Sequence, residues 1–292
     1  MVHTISDVRE VLAAVPTDID VLYSRILDTL PETRRGKEPA KSVLRWTVCS
    51  TRPLETEEFS HALQFDLNDK VSLCGQLVFI DLQSRVRIVH KTARQFLLRP
   101  DIDSEFAINK EFAHTRILLA CMNYLTSSDM RRPSARTRSG PKSRLELFSF
   151  AEYACTMFFQ HLNFASSTDD HIAFMLARFL SSTNVLMWIT YVTAQQSNLN
   201  LLAETAKALK QYLQKRSKHQ SLFGKDFVII DAWSTDLERL VTHFGTCLLA
   251  SPSSIWTFIP PLCSADSALR KQFGSTGRGI FLLGLSARAW GD

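Results

Sequence analysis

The sequence predicts a mainly α-helical chain with one small β-hairpin, short helices before the hairpin and longer ones after it. Three observations predict this. Apolar residues recur at helical spacing through most of the chain. Strict alternation is confined to two short runs, LVFID (77–81) and VRIVH (86–90). Only LQSR separates those runs, a connection short enough to make them antiparallel neighbours. Short helices leading into a two-stranded hairpin describe a winged helix, and the segments beyond it describe a helical bundle or spacer.

Each element has its own signal. SDVREVLAAV starts at Ser6 as N-cap, with Val8, Val11, Leu12 and Val15 as its stripe. After Pro16, Thr17 caps a helix that gathers Ile19, Leu22, Tyr23, Ile26, Leu27 and Leu30 on one face, and Pro31 ends it. AKSVLRWTVCS forms a third helix and stops before Arg52-Pro53. ETEEFSHAL is acidic in its first turn, as the helix dipole favours, and points Phe59 and Leu63 inward. VSLCGQL is a short helix ending near Gly75. In VRIVHKTARQFLL the period then changes at His90 from that of a strand to that of a helix, with Ala93, Phe96 and Leu97 on one side.

Beyond the hairpin, NKEFAHTRILLACMNYL offers Phe112, Ile117, Leu118, Cys121, Met122 and Leu125 as core residues. LELFSFAEYACTMFFQHL, DHIAFMLARFLSS and NVLMWITYV are three apolar helical segments with short polar breaks. NLNLLAETAKALKQYLQKRSKH carries Leu199, Leu202, Ala206, Leu209 and Leu213 on one stripe and ends in basic residues. The segment from Lys225 to Ser251 is long enough for a helix of about 25 residues, roughly 38 Å at 1.5 Å per residue. Pro252 and the Pro260-Pro261 pair stop it. The expected division is a helical linker region (1–50), a winged helix with its following helix (51–126), a basic flexible linker (127–144), an all-helical spacer (145–273) and a tail (274–292).

Composition narrows the function. The 45% hydrophobic and 22% charged content is that of an ordinary globular chain. Net charge is +5, and residues 131–144 hold six basic side chains and no acidic one, so the rest is close to neutral. That excludes a surface that is basic throughout. The six cysteines are far apart, each in an apolar segment, with neither CxxC nor Cys/His ligand spacing. They are expected to be reduced, buried, intracellular thiols, without disulfides or zinc. No apolar run reaches the length of a membrane span, about 20 residues, so a cytoplasmic protein is expected. GxSxG, HExxH and an EF-hand loop are absent. His114, His161 and His243 sit inside amphipathic helices, where core or boundary placement is expected. Asp226 and Asp231 are expected to be solvated or capping helix residues rather than paired catalytic acids. The chain is expected to be non-enzymatic and to need no cofactor.

Several segments, in order, resemble fungal NACHT proteins, the STAND or NLR-like switch family. LPETRRGKEPAKSVLRWTVCSTRPLETEEFSHAL resembles the region that follows their nucleoside-triphosphatase module. CGQLVFIDLQSRVRIVHKTARQFLL resembles the hairpin and last helix of their winged-helix domain, of the GPI inositol-deacylase type. EFAHTRILLACMNYL and FAEYACTMFFQHL are similar to the helices that follow, with Phe158 or Phe159 where the family has Trp. VLMWITYV and the stretch from Asp226 to Phe273 resemble the helical spacer preceding WD repeats. The GxxxxGK[ST] loop of the family's NACHT module is absent here, and WD repeats are absent too. The resemblance implies the middle third of a switch protein: either a complete product acting in trans as a partner or decoy of full-length relatives, or a truncated or decayed copy without function.

The resemblance also implies roles. In the family, a Met-His-Asp histidine touches the β-phosphate of bound ADP; Val89-His90-Lys91 stands at that place, without the acid. His90 is either a core or interface residue without ligand or a vestigial phosphate sensor acting on a module in trans. The function implied is a regulatory relay between the nucleotide module and C-terminal repeats, with protein partners. Interaction patches are expected near Trp46, Phe79 and Phe96, and near Trp256 and Phe258, where ordinary core is the alternative. The other reading is a winged-helix nucleic-acid binder using the basic 131–144 loop. Against it, the helix before the hairpin offers only Lys70 to a major groove.

Overall fold

Asp18 opens the first described helix, α1 (Ile19–Asp28), because its carboxylate accepts the otherwise unpaired N–H of Asp20 at 2.9 Å. The computed structural model describes residues 18–30, 34–66, 68–130, 150–195, 199–219, 221 and 223–274. The helix expected after Ser6, the Thr17 cap, residues 131–149 and the tail from 275 lie outside them. By internal contacts the chain divides into two units, residues 1–113 and 114–292.

In the first unit, α1 buries Tyr23 and Leu27, and Leu30 just beyond it is buried too, while Ile19, expected on that face, is solvent-facing. Helix α2 (Arg34–Cys49) begins before Pro39 rather than after it. A proline there forfeits one backbone bond, and Lys37 and Lys41 hold the extension by reaching Glu105 at 2.8 and 3.2 Å. Helix α3 (Thr56–Leu63) starts in a capping box formed by Glu55 and Glu58. A short helix, α4 (Asn68–Val71), runs into a single 3-10 turn and ends at Gly75. Gly75 has φ +58, and an added Cβ would lie 3.2 Å from Leu30 Cδ2, so glycine suits both conformation and space.

Strands β1 (Val78–Ile80) and β2 (Val86–Ile88) pair antiparallel, with Phe79 opposite Arg87. On the other side of β2, Val86 N–H donates to Leu54 O at 2.9 Å and Thr56 N–H to Ser84 O at 2.8 Å. The segment before α3 thus extends the hairpin. Helix α5 (Lys91–Leu97) follows. Tyr23 meets Phe96 with ring centroids 5.4 Å apart, and Trp46 meets Phe59 at 6.0 Å. Around them Val43, Leu44, Leu54, Leu77, Val86 and Leu97 are buried, so the wing and the helices share one core.

The division between the units falls inside helix α6 (Lys110–Thr126). Ile117, Leu118, Cys121, Met122 and Leu125 are fully buried, as expected. Phe112 is not: it is half-exposed, with the Arg45 guanidinium 5.2 Å from its ring. The second unit packs α7 (Ala151–Leu162), α8 (Asp170–Leu180), α9 (Asn184–Gln195), α10 (Asn200–Ser217) and α11 (Lys225–Ala250). Phe158, Phe179 and Trp188 meet edge-on at 5.7 to 6.1 Å, and the Trp188 indole donates to Cys155 O at 2.8 Å. Asn184 donates to Leu125 O and Ser127 O, satisfying carbonyls at the end of α6.

Helices α10 and α11 run antiparallel, with Lys210 paired to Glu238 and Leu199 packed on Gly245. A Cβ at Gly245 would come within 2.7 Å of Leu199. Of the predicted α10 stripe, Leu202, Ala206, Leu209 and Leu213 are buried. Two short helices, α12 (Ile259–Leu262) and α13 (Ala268–Phe273), complete the unit. Asp236, buried on α11, accepts from Ser267 Oγ at 2.8 Å and Leu269 N–H at 2.9 Å, and so fixes the start of α13. Burial pushes its carboxyl up from the usual range despite these donors.

Two substitutions test these anchors by chemical denaturation of the full chain. Asp236→Ala should lower stability by about 2 kcal/mol, because it leaves Ser267 and the Leu269 N–H unpaired. Glu58→Ala removes both the capping box and the Arg52 partner, and should cost about 3 kcal/mol.

Candidate functional site

The wing is built around Asp81. Its Oδ1 accepts the backbone N–H groups of Gln83 and Arg85, both at 2.9 Å, and closes the turn. Its Oδ2 accepts from Arg87 Nε at 2.6 Å and Arg85 Nε at 3.2 Å. Partial burial acts to raise the Asp81 carboxyl. The Arg85 N–H, the Arg87 guanidinium, the Gln83 N–H and the Arg85 charge together bring it down to about 2. Ser84 takes the left-handed position of the turn, with φ +57. The two wing arginines are therefore tied to one carboxylate, and beside the exposed Gln83 and Ser84 of the turn the wing also exposes large apolar side chains. Leu82 at the tip is fully exposed, and Phe79, Ile80 and Val89 are each exposed by 38% or more.

His90 stands where the strand becomes a helix. Its backbone is extended, and Nδ1 accepts the Thr92 N–H at 3.3 Å as the N-cap of α5. Thr92 Oγ1 is 2.8 Å from the same nitrogen and 2.7 Å from Tyr23 Oη. With Nδ1 as acceptor, a chain Tyr23 O–H to Thr92 O–H to His90 Nδ1 satisfies all three groups, and Nε2 carries the proton. The alternation from Val86 and Ile88 placed His90 inward, but the residue is exposed, because β2 ends at Ile88 and the chain turns into α5.

The expected interaction residues separate by burial. Trp46 and Phe96 are core residues of the first unit, held by Phe59 and Tyr23, and Phe79 alone of that set faces solvent. Leu82 and Val89 join Phe79 on the wing. The signal for Leu82 was present: a large apolar residue at the tip of a polar turn. In the second unit Phe258 is half-exposed beside Leu262, whereas Trp256 is partly buried and its indole donates to Thr190 Oγ1 at 2.9 Å. A groove of about 500 Å³ between α10 and α11 is lined by Leu213, Gln214, Phe227, Val228 and Asp231. Sequence periodicity could not reveal it, because its walls come from two helices.

Other candidate residues take structural places. Five of the cysteines are buried, and burial pushes the Cys49 thiol up to about 11 and those of Cys74 and Cys263 to about 12. Cys247, expected inside, is exposed on α11. His243 is exposed, as is Asp231, while Asp226 is partly buried. His114 and His161 are buried. Among the described residues no three His, Cys, Asp or Glu side chains converge as a metal site, and no single helix is long and apolar enough to cross a membrane.

Comparison with known proteins agrees with this geometry over the first unit. Residues 27–109 match the family model of the GPI inositol-deacylase winged helix domain. No curated protein and no solved structure matches the chain. The match takes in α2, α3, the hairpin and α5, a non-catalytic type of domain. Residues 27–109 are thus similar to a winged-helix domain of the GPI inositol-deacylase type, and the hairpin and helices found there support a winged helix.

Proposed function

We propose that the chain is a non-catalytic interaction module of a NACHT-type switch protein, and that the wing is the surface through which it relays the state of a nucleotide-binding module. One observation carries the reading. The wing exposes Phe79 on β1, Leu82 on the turn pinned by Asp81 and Val89 after β2, while Arg85 and Arg87 are already paired. Such a surface gains more from burying apolar area against protein than from meeting phosphates. The partner is a NACHT module, on the same polypeptide or on a relative in trans. His90 belongs to the same surface: its Nδ1 is used in capping, which leaves Nε2–H as the donor for a partner or a bound phosphate. Phe258 and Leu262 on the second unit face the following repeats. In this reading no residue of the chain performs chemistry, and the protein works in the cytoplasm.

Nucleic-acid binding is the competing reading, and the paired wing arginines count against it. Titration calorimetry of the full chain with a purified NACHT module, with and without ADP, tests the proposal. Wild type should bind, and Phe79→Asp with Leu82→Asp should weaken binding at least about tenfold, the effect of losing one or two buried apolar side chains. His90→Asn, which retains capping ability, should leave ADP-free binding unchanged and reduce only the ADP-dependent gain. Absence of binding by wild type, or tight salt-dependent binding to duplex DNA instead, overturns the proposal.

A further inference from the structure

In the second unit the Nδ1 atoms of His114, on α6, and His161, on α7, lie 2.8 Å apart. Tyr153 Oη is 2.8 Å from His161 Nε2. His161 is fully buried and His114 nearly so, under the half-exposed ring of Phe164 at 4.9 Å. Two imidazole nitrogens at this distance must share one proton, one donating and the other accepting. A second consequence follows from counting protons. The neutral pair has one Nδ1–H, and a singly charged pair keeps the bond, since an imidazolium Nδ1–H still finds a lone pair. A doubly charged pair has an N–H on both sides and no acceptor, so the bond is lost and two like charges face each other in a dry site.

The surrounding contacts give this bond something to hold. The carbonyl of His161 accepts the N–H groups of Phe164 and Ala165, at 3.0 and 2.9 Å, and Thr115, next to His114, accepts the Ser166 N–H at 2.9 Å. The His161 carbonyl thus closes the turn on α7, and the Ser166–Thr115 bond ties that turn to α6. Other charged groups of the packed elements are Lys110, Glu111 and Arg116 on α6 and Glu152 on α7, all exposed. Asp169 and Asp170 stand at the start of α8. From α10, Lys215 donates to Asn163 O at 2.5 Å and Arg216 to Ser167 O at 3.1 Å.

We infer that the His114–His161 bond is an acid-sensitive latch, which holds the α7–α8 turn onto α6 near neutral pH and releases it when both imidazoles are protonated. Burial, and next the charge of His114, hold His161 down to about 3, against about 6.5 for an exposed imidazole. The native pair therefore resists a proton that the opened form accepts. Stability from the latch is complete above the ordinary histidine range and is lost progressively as pH falls from about 6.5 toward 3.

Hydrogen exchange on the full chain at pH 7.5, 6 and 5, corrected for intrinsic rates, tests the latch. For wild type, protection of the Phe164, Ala165 and Ser166 amides should fall below the ordinary histidine range by up to about a hundredfold per pH unit, for two protons taken up when the neutral pair opens. It should fall ahead of protection in α11. His114→Asn supplies an uncharged partner for His161 and should reduce the dependence to that of one proton, about tenfold per pH unit, since burial still holds His161 neutral. An equal slope in the variant, no slope in wild type, or loss together with α11 overturns the inference. Should the variant fail to fold, nitrogen-15 spectra of wild-type imidazoles decide. One strongly deshielded, exchange-protected Nδ1–H at pH 7.5 that vanishes in acid is expected; two independently titrating imidazoles overturn the latch.

Discussion

The first unit depends on the carboxylate of Glu58. Buried on α3, it accepts the Glu55 N–H at 2.9 Å and both terminal nitrogens of Arg52 at 2.7 and 2.8 Å. One side chain therefore decides where the extended segment stops and the helix begins. Because Leu54 bonds to Val86 of β2 and Thr56 to Ser84 of the turn before it, that decision also sets the position of the wing against the helices. A buried carboxylate without partners would cost several kcal/mol, so this one is tolerable only with its donors in place. The hairpin, too short to be stable alone, borrows its rigidity from this junction and from Asp81.

The second unit uses the same economy of polar groups. Most of its helices present an apolar face inward, and several buried polar side chains bond to the end or the start of a neighbouring helix. Asn184 serves the end of α6, Asp236 the start of α13, and Arg216 reaches the turn before α8 and pairs with Asp170. The Arg216 guanidinium also lies 4.7 Å from the Phe227 ring, so a charge that is almost fully buried meets carbonyl, carboxylate and aromatic partners. Apolar packing supplies the bulk of cohesion, and these contacts fix which ends meet.

Periodicity made the long elements legible, since it reports which face is dry. Helix α11, the α10 stripe and five of the six α6 core residues follow from it, and so does the hairpin with its short connection. The winged-helix order was readable over the segment now matched by a family model. What periodicity cannot see is the partner. The backward extension of α2 through Pro39 depends on Glu105, far along the chain. Phe112 is apolar at a core spacing, yet it meets the Arg45 side chain near the surface. Trp46 and Phe96 carry the same residue chemistry as exposed anchors, and only Phe59 and Tyr23 make them core. His90 was read from alternation that ended two residues earlier. His114 and His161 looked like ordinary core histidines, and their pairing joins separate helices, which no local pattern encodes.

The close contact of Gly245 with Leu199 has a bearing on how this chain can vary. Where two helices touch through a position without a side chain, a larger residue on one is accommodated only if the other yields. These two positions are therefore expected to drift in concert across descendants of this sequence. The exposed faces of the same helices are free to diverge independently, and adaptation of the α10–α11 hairpin should be written there.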